Sequence, residues 1–317
     1  MSKALKSDGF CGQMYNQDGI FTVGQGRLDD TAWNQPATGT NVTVANVGRV
    51  YLPGGENNDA GYKGAENGKV AITFWTSLFA NSGQNSSTYH IENIHEYLVA
   101  QKQIPYTIAV FLNDDLGPID RIKSLKEKVL PALKARFSKI SNDPAYRSIA
   151  GQSTAGTNSF DTIWMGTDII SKGIGGSPSL VCFGCHGGLG SCPTLEPGCT
   201  PKNDAYSKEI AFCPARSIRW TGTVGTCDIY GTVAERAATD CPKPNGQVPT
   251  GPGAIDASAC KATWLTENRA VANAMKTKGM PYQLFVITGG GHDPNTWGGV
   301  ALAHQLRWIF KDITCAM

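Results

Sequence analysis

Arg147-Ser-Ile-Ala-Gly-Gln-Ser-Thr-Ala-Gly156 is the stretch that decides the fold. A short apolar run, Ser148-Ile149-Ala150, ends in Gly151, and Gly156-Thr157 opens a helical segment that runs through Trp164. Upstream, Asp143-Pro144 signals a turn after a helix expected from Ile122 to Phe137. The pattern is a strand, a tight turn and a helix, with Ser153 at the apex. Small residues on both sides let the backbone turn sharply and lift a hydroxyl above the end of a sheet. That is the build of a nucleophile elbow. The usual Gly-x-Ser-x-Gly has Ala155 in its last place here, with Gly156 one residue later. A Gly/Ser-rich strand–helix turn is often only a turn, so the reading depends on partners elsewhere in the chain.

The partners follow in order. Ile218-Arg-Trp-Thr-Gly-Thr-Val224 reads as a strand and runs into Gly225-Thr-Cys-Asp228. Tyr282-Gln-Leu-Phe-Val-Ile-Thr288 reads as a buried strand, followed by Gly289-Gly-Gly-His-Asp293 and a helix-like segment from Trp297 to Phe310. A histidine on a glycine loop just after one strand can reach a serine at the end of another. Ser153, then Asp228, then His292 is the chain order of α/β-hydrolase triads. Asp293 and Glu267 are rival acids. Asp293 adjoins the histidine, and adjacent side chains point apart; Glu267 falls inside an expected helix.

Several stretches also resemble a known family in order. They are Ile104-Pro-Tyr-Thr-Ile-Ala-Val-Phe111, Val129-Leu-Pro-Ala-Leu133 and the approach from Asp143 to Ser153. With them goes the spacing Trp264, Asn268, Ala272, Met275, Gly279 and Tyr282, ahead of Gly290-Gly291-His292-Asp293. Together they resemble the esterase family of α/β-hydrolases that includes enterochelin esterases, feruloyl esterases and esterase D. The resemblance spans residues 68–181 and 214–312. It implies an α/β-hydrolase fold and ester hydrolysis, with Ser153 as nucleophile, His292 as base and Asp228 as acid. It implies an oxyanion hole built from the Thr154 N–H and a second donor near Thr76 or Ser77, and no metal or cofactor. Thr76-Ser77 stand where the family carries Asp-Gly, Lys128 stands where it carries an acid, and Asn113 to Ile119 replace its arginine-rich segment. The loops that read substrate should therefore differ from those of a typical member.

Alternating strands and helices fill residues 68–181. Val70 to Trp75 and Tyr106 to Leu112 read as strands, and Ile91 to Val99 has apolar residues at helical spacing. Alternation predicts a mostly parallel sheet flanked by helices, with the site at the strands' carboxyl ends. Residues 1–67 are rich in Asn, Gly, Asp and Thr, with short β-prone runs at Ile20–Val23, Val42–Val44 and Val47–Leu52. They read as short antiparallel strands, a β-rich extension packed on a catalytic domain of residues 68–317; a small carbohydrate-binding module is the alternative.

The chain has 317 residues, a formal net charge of +2 and only 17% charged residues. So small a charge leaves no electrostatic footprint for nucleic acid or an anionic membrane. No apolar run approaches the length of a membrane span. Of ten cysteines, seven fall between Cys182 and Cys241. An even number so clustered suggests disulfides and hence a secreted chain, although Met1 to Ser7 are too polar for a signal peptide. The cysteines mark two insertions, 182–213 and 230–261, and Cys11 and Cys315 suit a terminal clamp. Cys182-Phe-Gly-Cys185-His186 also matches a haem-attachment motif, and Cys182, Cys185, His186 and Cys192 could ligate zinc; disulfides stapling a loop over the site account for more of the pattern. Trp75, Trp164 and Trp297 flank the triad segments and are candidates for an aromatic cleft, with core packing as the other reading. The functional expectation is a secreted, monomeric serine ester hydrolase acting on aryl, carbohydrate-linked or polyester substrates. A siderophore esterase is the alternative within the class, and a non-catalytic binding protein the alternative outside it.

Overall fold

Nine strands form one sheet in the order β1-β9-β8-β7-β6-β4-β5-β3-β2 in a computed structural model of the chain. The structure describes residues 17–24, 36–54, 60–76, 89–113, 116–180, 206–228, 264–292 and 301–314. The strands are β1 (Gly19–Gly24), β2 (Thr40–Val44), β3 (Gly48–Leu52), β4 (Ala71–Trp75), β5 (Thr107–Leu112), β6 (Arg147–Gln152), β7 (Lys172–Gly176), β8 (Arg219–Gly225) and β9 (Tyr282–Thr288). From β5 through β4, β6, β7 and β8 to β9 all pairs are parallel. Of these nine strands, β3 alone runs opposite to the rest, antiparallel to both β2 and β5.

Strand alternation explains how both faces are buried. Ile72 and Phe74 of β4, and Ile108, Val110 and Leu112 of β5, pack into one core; Ala71, Trp75, Ala109 and Phe111 pack into the other. Side chains on a strand leave alternate faces, so every second residue must be apolar on each side. Helix α1 (Ile91–Ala100) covers the second face through Ile91, Ile94 and Leu98, and α5 (Leu302–Ile309) through Leu302, Leu306 and Ile309. The first face is covered by α2 (Ser153–Met165), α3 (Tyr206–Phe212), α4 (Trp264–Thr277) and the helical run Pro118–Ser124, Leu125–Val129 and Leu130–Arg136. Leu125–Val129 is a π-helical turn within that run.

The N-terminal strands differ from expectation. β2 and β3 are antiparallel, but β1 lies at the opposite edge, in parallel register with β9 from Gly19↔Gln283 to Gly24↔Thr288. All three are strands of the one sheet. The apolar side chains of β1, led by Phe21 against Phe285 at 5.7 Å, add to the packing around β9.

Two buried ionisable groups give stability a two-sided pH dependence. His95 on α1 is fully buried, edge-on to Trp75, and burial pushes its imidazole down to about 3. Asp161 on α2 is buried with one oxygen accepting from the Tyr206 hydroxyl at 3.0 Å, and burial pushes its carboxyl up to about 7. Below pH 6.5 the unfolded chain takes up a proton that folded His95 refuses, so His95 costs stability as pH falls. Between pH 3.8 and 7 folded Asp161 keeps a proton that the unfolded chain releases, so Asp161 costs stability as pH rises. The two slopes oppose, each approaching about 1.4 kcal/mol per pH unit at full effect. Urea titrations at pH 4.5 and 6.5 should show His95→Phe losing more stability than wild type as pH rises, and Asp161→Asn losing more as pH falls. Parallel profiles for all three would show that neither group titrates on unfolding.

Candidate active site

The sheet has its topological switch between β4 and β6. From β4 the chain moves outward to β5, then returns past β4 to β6 and continues through β7 and β8 to β9. Ligand crevices in open α/β sheets lie at such a point, outside the strands' carboxyl ends. Ser153 stands there, immediately after β6 and at the first residue of α2.

Ser153 has φ +54, in the left-handed region. A non-glycine residue there carries strain of order 1–3 kcal/mol, and persists only where the surroundings impose it. Here β6 must turn within one residue into α2. Gly151 shows how tight the turn is, because a Cβ there would sit 2.1 Å from the Ala155 carbonyl oxygen. The serine side chain is half-buried, so the hydroxyl is held in place yet reachable. Thr154 is the second residue of α2. The first four N–H groups of a helix lack intrahelical acceptors, so the Thr154 N–H is available to an anion, and the helix dipole favours one.

Asp228 and His292 follow β8 and β9, and the His292 main-chain oxygen lies 3.2 Å from Nε2 of Gln152, the residue before Ser153. Nδ1 of His292 donates to Asp228 Oδ1 at 2.8 Å. The carboxylate is nearly inaccessible at 2% exposure, while the imidazole is partly open. The second oxygen, Oδ2, accepts from the Ser177 hydroxyl. Ser177 follows β7 and also takes a positive φ, +44, with its N–H bonded to Thr223 O at 2.7 Å. The two loops are joined by main-chain bonds: Thr226 N–H to Ile287 O at 3.0 Å and Cys227 N–H to Gly290 O at 2.7 Å. Gly289 N–H donates to the Thr226 hydroxyl at 2.9 Å. Gly225 permits this approach, since a Cβ there would lie 2.0 Å from Gly290 O. Cys227, beside the acid, is disulfide-bonded, as is Cys213. The Trp264 ring stands edge-on to His292 with centroids 4.6 Å apart. A carboxylate–imidazole pair of this kind can accept a proton from a serine hydroxyl within its reach and return it to a leaving group.

Other candidates are placed elsewhere. The Thr76 N–H and hydroxyl both donate to Ala150 O, at 3.0 and 2.9 Å, so Thr76 is committed to the sheet and offers no oxyanion donor. Ser77 lies outside the described residues. Trp75 is fully buried against His95, and Trp164 is buried, stacked on Phe160 at 5.8 Å and covered by Arg216. Both are core residues and line no cleft, because the strand end and the helix that carry them turn their rings into the two packed layers. Trp297 and Asp293 lie outside the described residues, as do Cys182, Cys185, His186 and Cys192. Glu267 accepts from the Ser207 N–H at 2.8 Å and does not face His292. Among the described residues no cluster of three or more His, Cys, Asp or Glu could hold a metal, and no helix is long and apolar enough to cross a membrane. Ser177, Trp264 and Gln152 escape sequence reasoning. A serine in a Gly/Pro-rich turn and a strand-end glutamine carry no spacing signal, and the spacing that includes Trp264 marks a helix without saying that its ring meets His292.

Comparison with known proteins adds the fold's relatives. No family model matches the sequence, and no curated protein matches it. Among solved structures, a ferulic acid esterase superimposes with a TM-score of 0.54 at 15% identity, over 86% of this chain and 96% of that one. The enterobactin esterase of Shigella flexneri gives 0.54 at 14% identity, over 89% of this chain but 62% of that longer one. A serine-to-alanine mutant of the feruloyl esterase module of Clostridium thermocellum, complexed with sinapinate, gives 0.51 at 14% identity, over 92% and 95%. At such identities the likeness is one of architecture: this chain has the α/β-hydrolase fold, a mostly parallel sheet flanked by helices.

Proposed function

We propose that the chain is a serine carboxylic-ester hydrolase working through an acyl-enzyme, with Ser153, His292 and Asp228 as its triad. The observation that carries this reading is the left-handed Ser153 at the β6–α2 turn, on the same sheet edge as the 2.8 Å Asp228–His292 pair. In this mechanism His292 takes the Ser153 proton as the oxygen attacks the ester carbonyl. Asp228 fixes the tautomer with Nδ1–H and stabilises the imidazolium. The Thr154 N–H meets the developing oxyanion, with a second donor assigned to Ser77 now that Thr76 is occupied. The same His292 then protonates the leaving alcohol, and water repeats the sequence to release the acid. The esterase neighbours support the reaction class, and the aromatic acids bound in them, sinapinate and 2,3-dihydroxy-N-benzoyl-glycine, favour aryl esters, of feruloyl type or of the dihydroxybenzoyl type found in siderophores. The feruloyl-like reading, on a carbohydrate-linked or polyester substrate, is placed first, the siderophore reading second. A fluorophosphonate probe tests the class: it should label wild type at Ser153 and leave Ser153→Ala unlabelled. An unlabelled wild type would favour the binding-protein reading.

Two further expectations follow from the reading. Gly225→Ala should force the acid and histidine loops apart, lowering ester turnover by about 100-fold in a variant that still folds. Unchanged turnover would show that the loops have room to adjust. Secretion is supported by the cysteine content. Non-reducing mass spectrometry should find most of the ten cysteines paired, and mostly free thiols would end the extracellular assignment.

A further inference from the structure

Gln152 holds a position that the triad alone does not explain. It is the last residue of β6, in extended conformation (φ −110, ψ 149), and the residue before Ser153. It is in phase with Ala150, whose side chain packs into the face covered by α1 and α5, so its own side chain leaves the strand on that face. There its Nε2 lies 3.2 Å from the main-chain oxygen of His292, and its Oε1 accepts from the Tyr89 hydroxyl at 2.8 Å. The amide orientation follows from chemistry: a carbonyl oxygen only accepts, so the NH₂ end must face His292 and the oxygen must face Tyr89. Gln152 is 8% exposed and Tyr89 2%, so water competes poorly for either bond.

We propose that Gln152 is a positioning residue that ties the histidine loop to the nucleophile elbow, and that Tyr89 acts through it. The proposal rests on the serine-hydrolase reading above. Asp228 and Trp264 hold the imidazole ring from the sides. Among the described residues, Gln152 supplies the side-chain hydrogen bond to the main chain that carries the ring. Its own main chain carries Ser153. One residue therefore sets how far the serine oxygen stands from the imidazole, while Tyr89, just ahead of α1, fixes the amide plane. A displacement of the loop would misplace the base without altering where an ester binds. The loss should fall on kcat and leave KM alone.

The test is a double-mutant cycle of Gln152→Leu, Tyr89→Phe and the double variant, assayed on p-nitrophenyl acetate, with melting temperatures and fluorophosphonate labelling rates. Gln152→Leu should lower kcat and the labelling rate by about 10- to 100-fold with KM unchanged. Tyr89→Phe should lower them about fivefold, the worth of one hydrogen bond. The double variant should be no worse than Gln152→Leu, because Tyr89 works through the amide. Full kcat in Gln152→Leu overturns the proposal and leaves the hydrolase reading intact, as does a loss in KM alone. If Gln152→Leu fails to fold, Tyr89→Phe decides: a normal kcat overturns the proposal, and a kcat loss at unchanged KM and melting temperature supports it. A wild type that neither labels nor turns over esters removes the hydrolase reading, and the proposal falls with it.

Discussion

Ser153→Ala and His292→Ala should each lower ester turnover by about 10⁶-fold, with little change in fold. The size follows from cooperation. In the proposed mechanism, no acyl-enzyme forms without Oγ, and without the imidazole the hydroxyl keeps its proton and is a poor nucleophile at neutral pH. Because they act as one unit, the double variant should be no slower than either single one. A residue of about 10³-fold over water should remain, from the Thr154 N–H and substrate binding. Neither substitution should unfold the chain. Ser153 is half-buried, and alanine relieves none of the left-handed strain but adds no clash. His292→Ala leaves Asp228 with its Ser177 bond. The measurement is single-turnover hydrolysis of p-nitrophenyl acetate, with circular dichroism to confirm folding. Near-normal turnover by Ser153→Ala would remove the mechanism.

Most of the sheet was legible in the sequence because parallel strands buried on both faces read as unbroken apolar runs, as in Ile108-Ala-Val-Phe-Leu112 and Leu284-Phe-Val-Ile287. β7 was not. Lys172-Gly-Ile-Gly-Gly176 has one apolar side chain, and its glycines are set by a neighbour instead. The Trp220 ring lies across β7, where a Cβ on Gly173 or Gly175 would come within 2.6 or 2.5 Å of it. A strand emptied to accommodate another strand's ring has no pattern of its own. β1 shows the complementary limit: its alternation marks a strand, but nothing local states that its partner is β9, more than 250 residues away. At the candidate site, the strand-end positions of Ser153, Asp228 and His292 were readable because each follows a strand in the order of the chain. Ser177, Trp264 and Gln152 were not, because their roles exist only where separate loops meet. Trp75 and Trp164 follow the core-packing reading for a related reason: nearness in sequence to the candidate triad does not say which face of a strand or helix a ring leaves from.

Asp228→Asn should cost about 10⁴-fold in kcat at neutral pH, more than the removal of a hydrogen bond would suggest. Ser177 explains why. Its hydroxyl donates to Oδ2, while the imidazole donates to Oδ1, so the buried side chain at 228 must accept on both oxygens. A carboxylate does this; an amide does not. With asparagine, the side-chain oxygen facing Ser177 turns the NH₂ towards Nδ1, which must then accept. The imidazole shifts its proton to Nε2 and points a donor at Ser153, so it cannot take the serine proton. The opposite amide orientation keeps the tautomer, but the Ser177 hydroxyl must then give up its donor bond, turn its hydrogen away and accept from the NH₂. Ser177→Ala should recover part of the loss in the Asn background by removing that competition, although alone it lowers kcat, by about tenfold. Glu267→Gln should leave turnover unchanged, because Glu267 is bonded to the Ser207 N–H. Rates of the four variants, with the pH dependence of kcat, decide the matter. A strong loss in Glu267→Gln beside a mild one in Asp228→Asn would move the acid to α4. Equal losses in Asp228→Asn with and without Ser177 would show that tautomer choice is not what Ser177 governs.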